Sequence, residues 1–260
     1  MSLAGETVRG ACRAFGSRPD PRLVALDPFP SRDRPAAALL ASILGQDLTF
    51  AGVARLLREL GESLGVRVLA ASPADWSDLE KFAARAGWLR DWAHLEAMPG
   101  WILSAGDFTR SHGMPGTWPD TFDPEVLVRT LASEVPWMGA RSSHRIKAWR
   151  LCRWIGRAEV GGSEGAGAFR RKLRVPHAAV ERPLKTVSVL PSAWGTWNSR
   201  DRQEWVDGIA LEASPEDPAA IWPALDAVLS RGHAGPACQE FLGGCRKCPL
   251  RPRCPSPGAN

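Results

Sequence analysis

The sequence predicts an all-α protein, and two observations support that fold class. Apolar residues recur three and four positions apart along most of the chain, and this spacing places them on one face of a helix. Strand-like alternation of apolar and polar residues is confined to the short run Val187–Leu190. Helices rather than sheets are therefore expected to build the core.

The first strong helix signal lies near Pro35. Ser31 or Asp33 can cap this helix, Pro35 suits its first turn, and apolar residues continue to Leu44. The preceding segment is rich in Pro and Arg and is expected to be irregular or partly helical. Two further helices are predicted downstream, over residues 53–60 and 72–82.

The second half of the chain contains further helix signals. Asp123 and the proline after it begin one helix, and another follows Gly139 and continues to about Ile155. Met114–Pro119 predicts a loop, and the glycine-rich segment Val160–Ala168 predicts a flexible surface loop. Helices return in three segments, residues 178–184, 201–211 and 218–229.

Length and composition are those of an ordinary globular protein with one or two domains in 260 residues. The longest apolar stretches, such as Pro35–Leu44, are too short to cross a bilayer, so no membrane partner is expected. The first residues lack the basic start and apolar core of a signal peptide, and a cytoplasmic protein is predicted. Most of the twelve Trp are expected in the core, with one or two at a ligand.

Positive charge is concentrated in three blocks. The net charge is +5 with a sequence pI of about 9.1, a surplus that solubility alone can explain. Its distribution is more specific, because residues 135–158 contain no acid but six bases, namely Arg141, Arg145, Lys147, Arg150, Arg153 and Arg157. Two more basic clusters lie in residues 170–174 and 246–253. Such blocks favour a surface that binds a polyanion.

Four cysteines near the C-terminus have the spacing of a metal-binding loop. Cys238, Cys245, Cys248 and Cys254 stand in a C-x6-C-x2-C-x5-C arrangement. Four thiolates from one short loop can hold a tetrahedral zinc ion or a cubane iron–sulfur cluster, and spacing alone leaves the two open. A disulfide pair is less favoured in a cytoplasmic chain. Cys12 and Cys152 have no such neighbours and are expected to be ordinary thiols.

This cysteine spacing, following a helical domain, resembles the [4Fe-4S] loop of the endonuclease III and adenine glycosylase families in all three gaps. The resemblance runs from about Pro35 to Cys254 and implies a [4Fe-4S] cluster as the cofactor. All four ligand positions are then filled by the chain, which leaves no open site for substrate. The cluster would instead hold the loop together and present Arg246 and Arg251 to DNA phosphates.

Residues 131–155 resemble the helix-hairpin-helix motif of the same families. There, a Leu-Pro-Gly-x-Gly hairpin points backbone amides at the start of the second helix toward a DNA phosphate. Pro136 and Gly139 match this pattern, but Trp137 replaces the first glycine, and a left-handed conformation is costly for Trp. The resemblance implies double-stranded DNA as the partner, and it makes DNA-binding candidates of Trp137, Gly139, Arg141, Arg145 and Lys147.

Upstream of the hairpin, Ile43-Leu44-Gly45-Gln46 resembles the segment that supplies a glutamine wedge in these glycosylases. The amide of such a wedge fills the gap left in the duplex by an everted base. Gln46 is the candidate for that function, and an ordinary amide on a helix surface is the alternative.

Both positions that carry catalysis in the resembled families differ in this chain. Arg141 stands where bifunctional members have the attacking Lys, and an arginine stays protonated and is a poor amine nucleophile. His177 stands where the family has its catalytic aspartate. Glu181, one helical turn later, is the nearest acid, although a solvated or salt-bridged helix residue is the simpler interpretation. His177 and Glu181 are the catalytic candidates.

The resemblance implies a two-lobed helical DNA glycosylase-like fold. A central helical domain with the hairpin would span residues 35–168, and residues 1–34 with 169–260 would form a second lobe carrying the cluster loop at 238–254. The implied function is recognition of damaged or modified bases for excision repair by a monomer, with monofunctional N-glycosidic hydrolysis if the protein is catalytic. The alternatives are an iron–sulfur protein that binds DNA or lesions without cleavage, and an iron–sulfur redox protein on DNA.

Overall fold

The computed structural model describes residues 2–15, 20, 22–27, 29–44, 98–139, 145–161 and 167–228. These residues form α-helices, short 3₁₀ turns and loops and contain no strand, which confirms the all-α prediction at this level. Within the same ranges, every helix falls short of the length and apolar character that a bilayer crossing requires. The chain divides into two compact units, one of residues 20–169 and one of residues 1–19 with 170–260. The sequence predicted the corresponding boundaries at residues 35 and 168.

The described α-helices of the unit of residues 20–169 are α2 (Arg34–Leu44), α3 (Met98–His112), α4 (Trp118–Thr121), α5 (Pro124–Glu134) and α6 (Ile146–Gly156). In this unit α2 packs against α3 and α6, and α5 packs against α6. Asp123 caps α5 because its side-chain Oδ1 accepts the backbone N–H of Glu125 at 2.9 Å. The sequence predicted that start, and the cap satisfies one of the donors that every helix N-terminus leaves open.

A short helix, α7 (Gly167–Arg171), contains the boundary, and the second unit includes α1 (Leu3–Phe15), α8 (His177–Thr186), α9 (Ser199–Ala213) and α10 (Ile221–Val228). Helix α1 packs against α9 and α10, and Phe15, Val187 and Ala224 share one buried cluster. The Asn198 side chain caps α9 by accepting the N–H groups of its first turn. These contacts tie the first residues of the chain to its last third.

Several predicted boundaries differ from the structure. Met114–Pro119 was predicted as a loop, but it contains a 3₁₀ turn, Pro115–Thr117, and the start of α4. Fully buried Trp118 draws this segment into the core, where its indole N–H donates to the carbonyl of Gly113 at 2.9 Å. Val187–Leu190 forms no strand, because the N–H of Val187 ends α8 by bonding to the Pro183 carbonyl. The helices predicted at 53–60 and 72–82 lie outside the described residues.

Candidate functional site

The structure describes six of the predicted site residues. Trp137, Gly139, Arg145 and Lys147 belong to the unit of residues 20–169, whereas His177 and Glu181 lie on α8 in the other unit. The predicted cluster ligands and the remaining DNA-binding candidates lie outside the described residues, namely Cys238, Cys245, Cys248, Cys254, Gln46, Arg141, Arg246 and Arg251.

The connection between α5 and α6 turns sharply at both of its described ends. Helix α5 ends at Glu134, and the N–H of Met138 bonds to the Val135 carbonyl at 3.3 Å to form a turn. Helix α6 begins at Ile146, later than the start after Gly139 that the sequence predicted. The residue before it, Arg145, is left-handed with φ 47° and ψ 37°, and its side chain does not cap the helix.

Gly139 is required where the two helices approach each other. Its φ is 152°, a conformation that side chains with a Cβ adopt only with strain. A Cβ at this position would lie 3.2 Å from the Cα of Arg145 and 3.3 Å from the Cβ of Ala132. Both the backbone angle and the lack of space therefore explain the glycine.

Trp137 adopts the left-handed conformation that the sequence analysis considered costly for it. Its φ is 65°, and for a residue with a bulky side chain this costs on the order of 1–2 kcal/mol. The half-buried indole contacts buried Trp101 of α3 edge-on, with ring centroids 5.3 Å apart. This aromatic contact compensates part of the backbone strain, and it holds the turn after α5 against α3.

The basic stretch of α6 faces in two directions, which corrects the prediction of one polyanion-binding surface. Arg153 is 0% exposed, and its guanidinium donates to Asp20 Oδ2 at 2.8 Å. The indole N–H of Trp154 donates to the same oxygen at 3.1 Å. Arg157, one turn further on, pairs with Glu159 at 3.3 Å. Arg153 and Arg157 thus pair with acidic residues of the same unit, whereas Arg145 and Lys147 are half-exposed at the start of α6.

Asp20 is charged despite its burial. Burial raises the pKa of its carboxyl group, but Arg153, then Arg22, and a backbone hydrogen bond from Arg22 outweigh that effect, so the pKa lies below its ordinary value. The ion pair between Asp20 and Arg153 joins residues 133 positions apart in the chain. It anchors α6 to the segment that contains Asp20.

The second basic cluster, residues 170–174, is largely paired with carboxylates. The guanidinium of Arg170 lies 3.4 Å from Asp217 Oδ2, and that of Arg174 lies 2.6 Å from Asp207 Oδ2. Arg171 has a looser contact with Glu216 at 3.9 Å. The local positive charge is therefore smaller than the sequence suggested.

His177 begins α8 and is 3% exposed. Its backbone N–H donates to the amide oxygen of Gln203 on α9 at 3.0 Å, and Gln203 also donates to the Val175 carbonyl and to Asp207 Oδ1, both at 2.9 Å. The imidazole packs edge-on against Trp194, with ring centroids 6.2 Å apart. An uncharged amide thus holds the start of the helix where the resemblance placed a catalytic acid.

Glu181 lies one turn after His177 on α8 and is half-buried. The two residues are four positions apart, which is the spacing that puts side chains on the same face of a helix.

Comparisons of the chain with protein-family models, curated proteins and solved structures give no match. Glu181 therefore stays a candidate on its position alone.

The cysteines within the described ranges do not form a metal centre. There, no group of three or more His, Cys, Asp or Glu side chains is arranged to hold a metal ion. Cys152 is fully buried on α6, and burial raises the pKa of its thiol, so it stays protonated and packs as an apolar side chain. Cys12 is a half-buried cysteine on α1.

A group of three tryptophans beside His177 was not predicted from the sequence. Trp194, Trp197 and Trp205 fall within twelve residues, but none of them was singled out as one of the one or two tryptophans expected at a ligand. Only Trp194 is buried, and the other two are half-buried. Three of the chain's twelve Trp in so short a segment were the signal that could have identified this cluster.

Proposed function

We propose that the protein is an iron–sulfur DNA-binding protein of the base-excision-repair type, related to the endonuclease III branch of DNA glycosylases, that recognises damaged or modified bases. The proposal rests on the C-x6-C-x2-C-x5-C pattern, which follows a segment resembling a helix-hairpin-helix in the sequence. The turn after α5 supports it, because Trp137 and Gly139, which stand at the two glycine positions of the resembled hairpin, both adopt positive φ. Arg145 and Lys147 keep positive charge beside the start of α6, where phosphates bind favourably.

The cysteine donor set fits a [4Fe-4S] cluster. Four thiols within seventeen residues can provide one ligand to each iron of a cubane, with no ligand needed from elsewhere. Cys238, Cys245, Cys248 and Cys254 would hold the group, which acts as a structural cross-link when bound. Arg246 and Arg251, inside the same loop, would then contact phosphates.

The residues at the position of the family's catalytic aspartate favour recognition of a base without cleavage. His177 is almost fully buried, and an amide, Gln203, rather than a carboxylate holds its backbone. A cationic sugar transition state requires a nearby negative charge or an activated water. One observation favours monofunctional hydrolysis as the second candidate: the carboxylate of Glu181 is half-exposed one turn along the same helix.

DNA binding should weaken steeply as salt increases, because each neutralised phosphate releases counterions. We expect the double variant Arg145→Glu/Lys147→Glu to bind a duplex at least about tenfold more weakly and to reduce the log–log salt slope by about 2. Fluorescence anisotropy with labelled duplexes over a range of salt concentrations measures both quantities.

Arg110→Glu is the matched control for this charge reversal. Arg110 is an exposed base of α3 that pairs with Asp107 and lies outside the three basic blocks. Its reversal should change affinity less than about twofold, as a solvent-exposed charge remote from the phosphates does. Salt-insensitive binding, or equal losses in both variants, would contradict the assignment of the hairpin as the phosphate-binding surface.

Protein purified without oxygen should be brown and contain about four iron and four sulfide per chain, as a cubane cluster with four Cys ligands requires. Metal and sulfide analysis with visible absorbance tests this composition. The Cys245→Ser variant should lose iron, whereas Cys152→Ser should retain it, because Cys152 is a buried thiol on α6. Stoichiometric zinc without sulfide in fresh protein would overturn the cluster assignment.

A further inference from the structure

The rings of Trp197 and Trp205 both contact the ring of Trp194, and we call these three residues together with Arg202 the tryptophan cluster. The ring centroid of Trp194 lies 6.1 Å from that of Trp197 and 5.6 Å from that of Trp205. The planes are inclined by 50° and 71°, so the rings meet at tilted and edge contacts rather than in a parallel stack. All four residues belong to the 3₁₀ turn Ser192–Thr196, to α9 or to the link between them.

Arg202 is held over the face of Trp194. Its guanidinium carbon lies 5.4 Å from the ring centroid, a distance at which the cation and the aromatic face attract each other. Its Nε donates to the Trp194 carbonyl at 3.1 Å, and one terminal nitrogen reaches the Gly195 carbonyl at 3.4 Å. Both acceptors are uncharged carbonyl oxygens, so these bonds position the guanidinium without neutralising its positive charge.

The indole N–H of Trp194 is buried and lacks an acceptor among the described residues. Trp194 is 5% exposed, and its Nε1 atom has no hydrogen-bond partner in that part of the chain. Buried polar groups in native proteins are nearly always paired, because an unmade hydrogen bond in the interior costs free energy. Trp118 of the other unit shows the ordinary case, since its N–H donates to the Gly113 carbonyl. An acceptor brought by a ligand would complete the Trp194 site.

Trp197 and Trp205 remain half-buried at the edge of this site. Tryptophan faces are the surfaces on which nucleobases stack, and such stacking accepts any base. A base also brings ring nitrogen and carbonyl acceptors for an N–H donor, and its phosphate brings negative charge to a guanidinium. An apolar ligand would leave the Trp194 N–H unpaired, and a phosphate alone would leave the aromatic faces unused.

We propose that the tryptophan cluster binds an unpaired nucleobase, with the Trp194 N–H donating to the base and the half-buried faces of Trp197 and Trp205 packing on it. Arg202 supplies positive charge for the adjoining phosphate. The choice of DNA as the source of the base rests on the proposed function, whereas the base-binding chemistry rests on the cluster itself. A free nucleotide carries the same chemistry, and the experiment separates the two sources.

The probe is 2-aminopurine, whose fluorescence falls when it stacks on tryptophan. Three DNAs are titrated with the full-length protein: a fully paired duplex, the same duplex with 2-aminopurine unpaired in a one-base bulge, and a single strand. We expect quenching and tighter binding with the unpaired base. Trp194→Phe keeps an aromatic ring but removes the N–H, so it should weaken binding to the bulge about five- to tenfold, the value of one hydrogen bond.

The same variant separates binding from a structural function. Trp194→Phe should leave affinity for the paired duplex unchanged, and any loss of melting temperature should reflect only the smaller ring, because the donor it removes has no partner in the described chain. Leu211→Ala, at a position 52% exposed on α9, is the control and should change neither quantity. If Trp194→Phe fails to fold, Trp197→Leu replaces it and should abolish most of the quenching.

Each outcome decides the proposal. Equal binding to paired and bulged duplexes, without quenching, overturns the base site and leaves the proposed DNA-binding function standing. Quenching of 2-aminopurine riboside monophosphate, lost in Trp194→Phe, together with no binding to any DNA, supports a free-nucleotide site and overturns the proposed function. Unchanged bulge affinity in a folded Trp194→Phe variant overturns the hydrogen bond and with it the proposal.

Discussion

Replacing Asp20 by asparagine is expected to lower the free energy of unfolding by about 3–5 kcal/mol, because the substitution leaves the guanidinium of Arg153 buried without its charged partner. Asparagine keeps the size of the side chain and an oxygen for the Trp154 N–H, so the loss of charge is the main change. The second carboxylate near Arg153, that of Glu159, lies 3.5 Å away and compensates only part of the loss. Urea unfolding followed by circular dichroism measures the difference.

Asp27→Asn is the matched control for Asp20→Asn. Asp27 pairs with Arg34 at 3.8 Å, but its side chain is 65% exposed. An exposed ion pair contributes about 0–1 kcal/mol, so this variant should unfold nearly as the wild type does. Equal destabilisation by the two substitutions would show that the buried pair contributes no more than a surface pair.

The effect of Asp20 should also depend on pH. Because the folded-state pKa of Asp20 is lowered, its contribution to stability is complete above the unfolded pKa, about 3.9, and is lost as the pH falls through the lower folded value. Wild type and Asp20→Asn should therefore differ most at neutral pH and converge in acid below about pH 4. A difference that grows on acidification would mean that Asp20 is protonated in the folded protein at neutral pH.

Features set by neighbours in the chain could be predicted from the sequence. The start of α5 is one example, because Asp123 accepts the N–H of Glu125, only two residues away. The periodic apolar face of α2 is another, with Leu39, Leu40 and Ile43 all fully buried. Caps and helical faces depend on spacings of two to four residues, and these spacings are visible in a sequence.

Features set by distant partners could not be predicted. Arg153 was counted with the surface bases because residues 135–158 contain no acid, yet its closest partner, Asp20, lies 133 positions earlier. Gln203 lies 26 positions after His177, and no local pattern assigns that amide to the start of α8. The left-handed φ of Trp137 is likewise compensated by a ring contact with Trp101, on another helix.

Mixing the protein with abasic or damaged DNA and borohydride should give no covalent complex. Trapping requires a Schiff base, and a Schiff base requires an uncharged amine at the attacking position. Arg141 stands there in the resembled pattern, and an arginine remains protonated in proteins. Denaturing gel electrophoresis after reduction detects the complex. Strong trapping would show that another amine attacks the sugar, and Lys147→Ala and Lys172→Ala would then identify it.

Base release is the larger question, and we expect it to be slow or undetectable on uracil, oxidised pyrimidines and alkylated purines. A positioned acid or base contributes about 10²–10⁴-fold to such reactions, and the position that should carry it holds buried His177. An imidazole can accept a proton from water, but it cannot supply the negative charge that stabilises a cationic sugar. Single-turnover assays with labelled duplexes measure the release of each base.

If a substrate is found, the half-exposed carboxylate of Glu181 is the group able to supply that charge. Glu181→Gln should then reduce base release about 10²-fold or more and leave duplex affinity unchanged. His177→Ala should act similarly if the imidazole activates water, and Glu204→Gln, an exposed acid on α9, is the control. Rapid release that survives Glu181→Gln and His177→Ala would place the active site elsewhere in the chain. Tight lesion-selective binding without release from any substrate would establish recognition without cleavage.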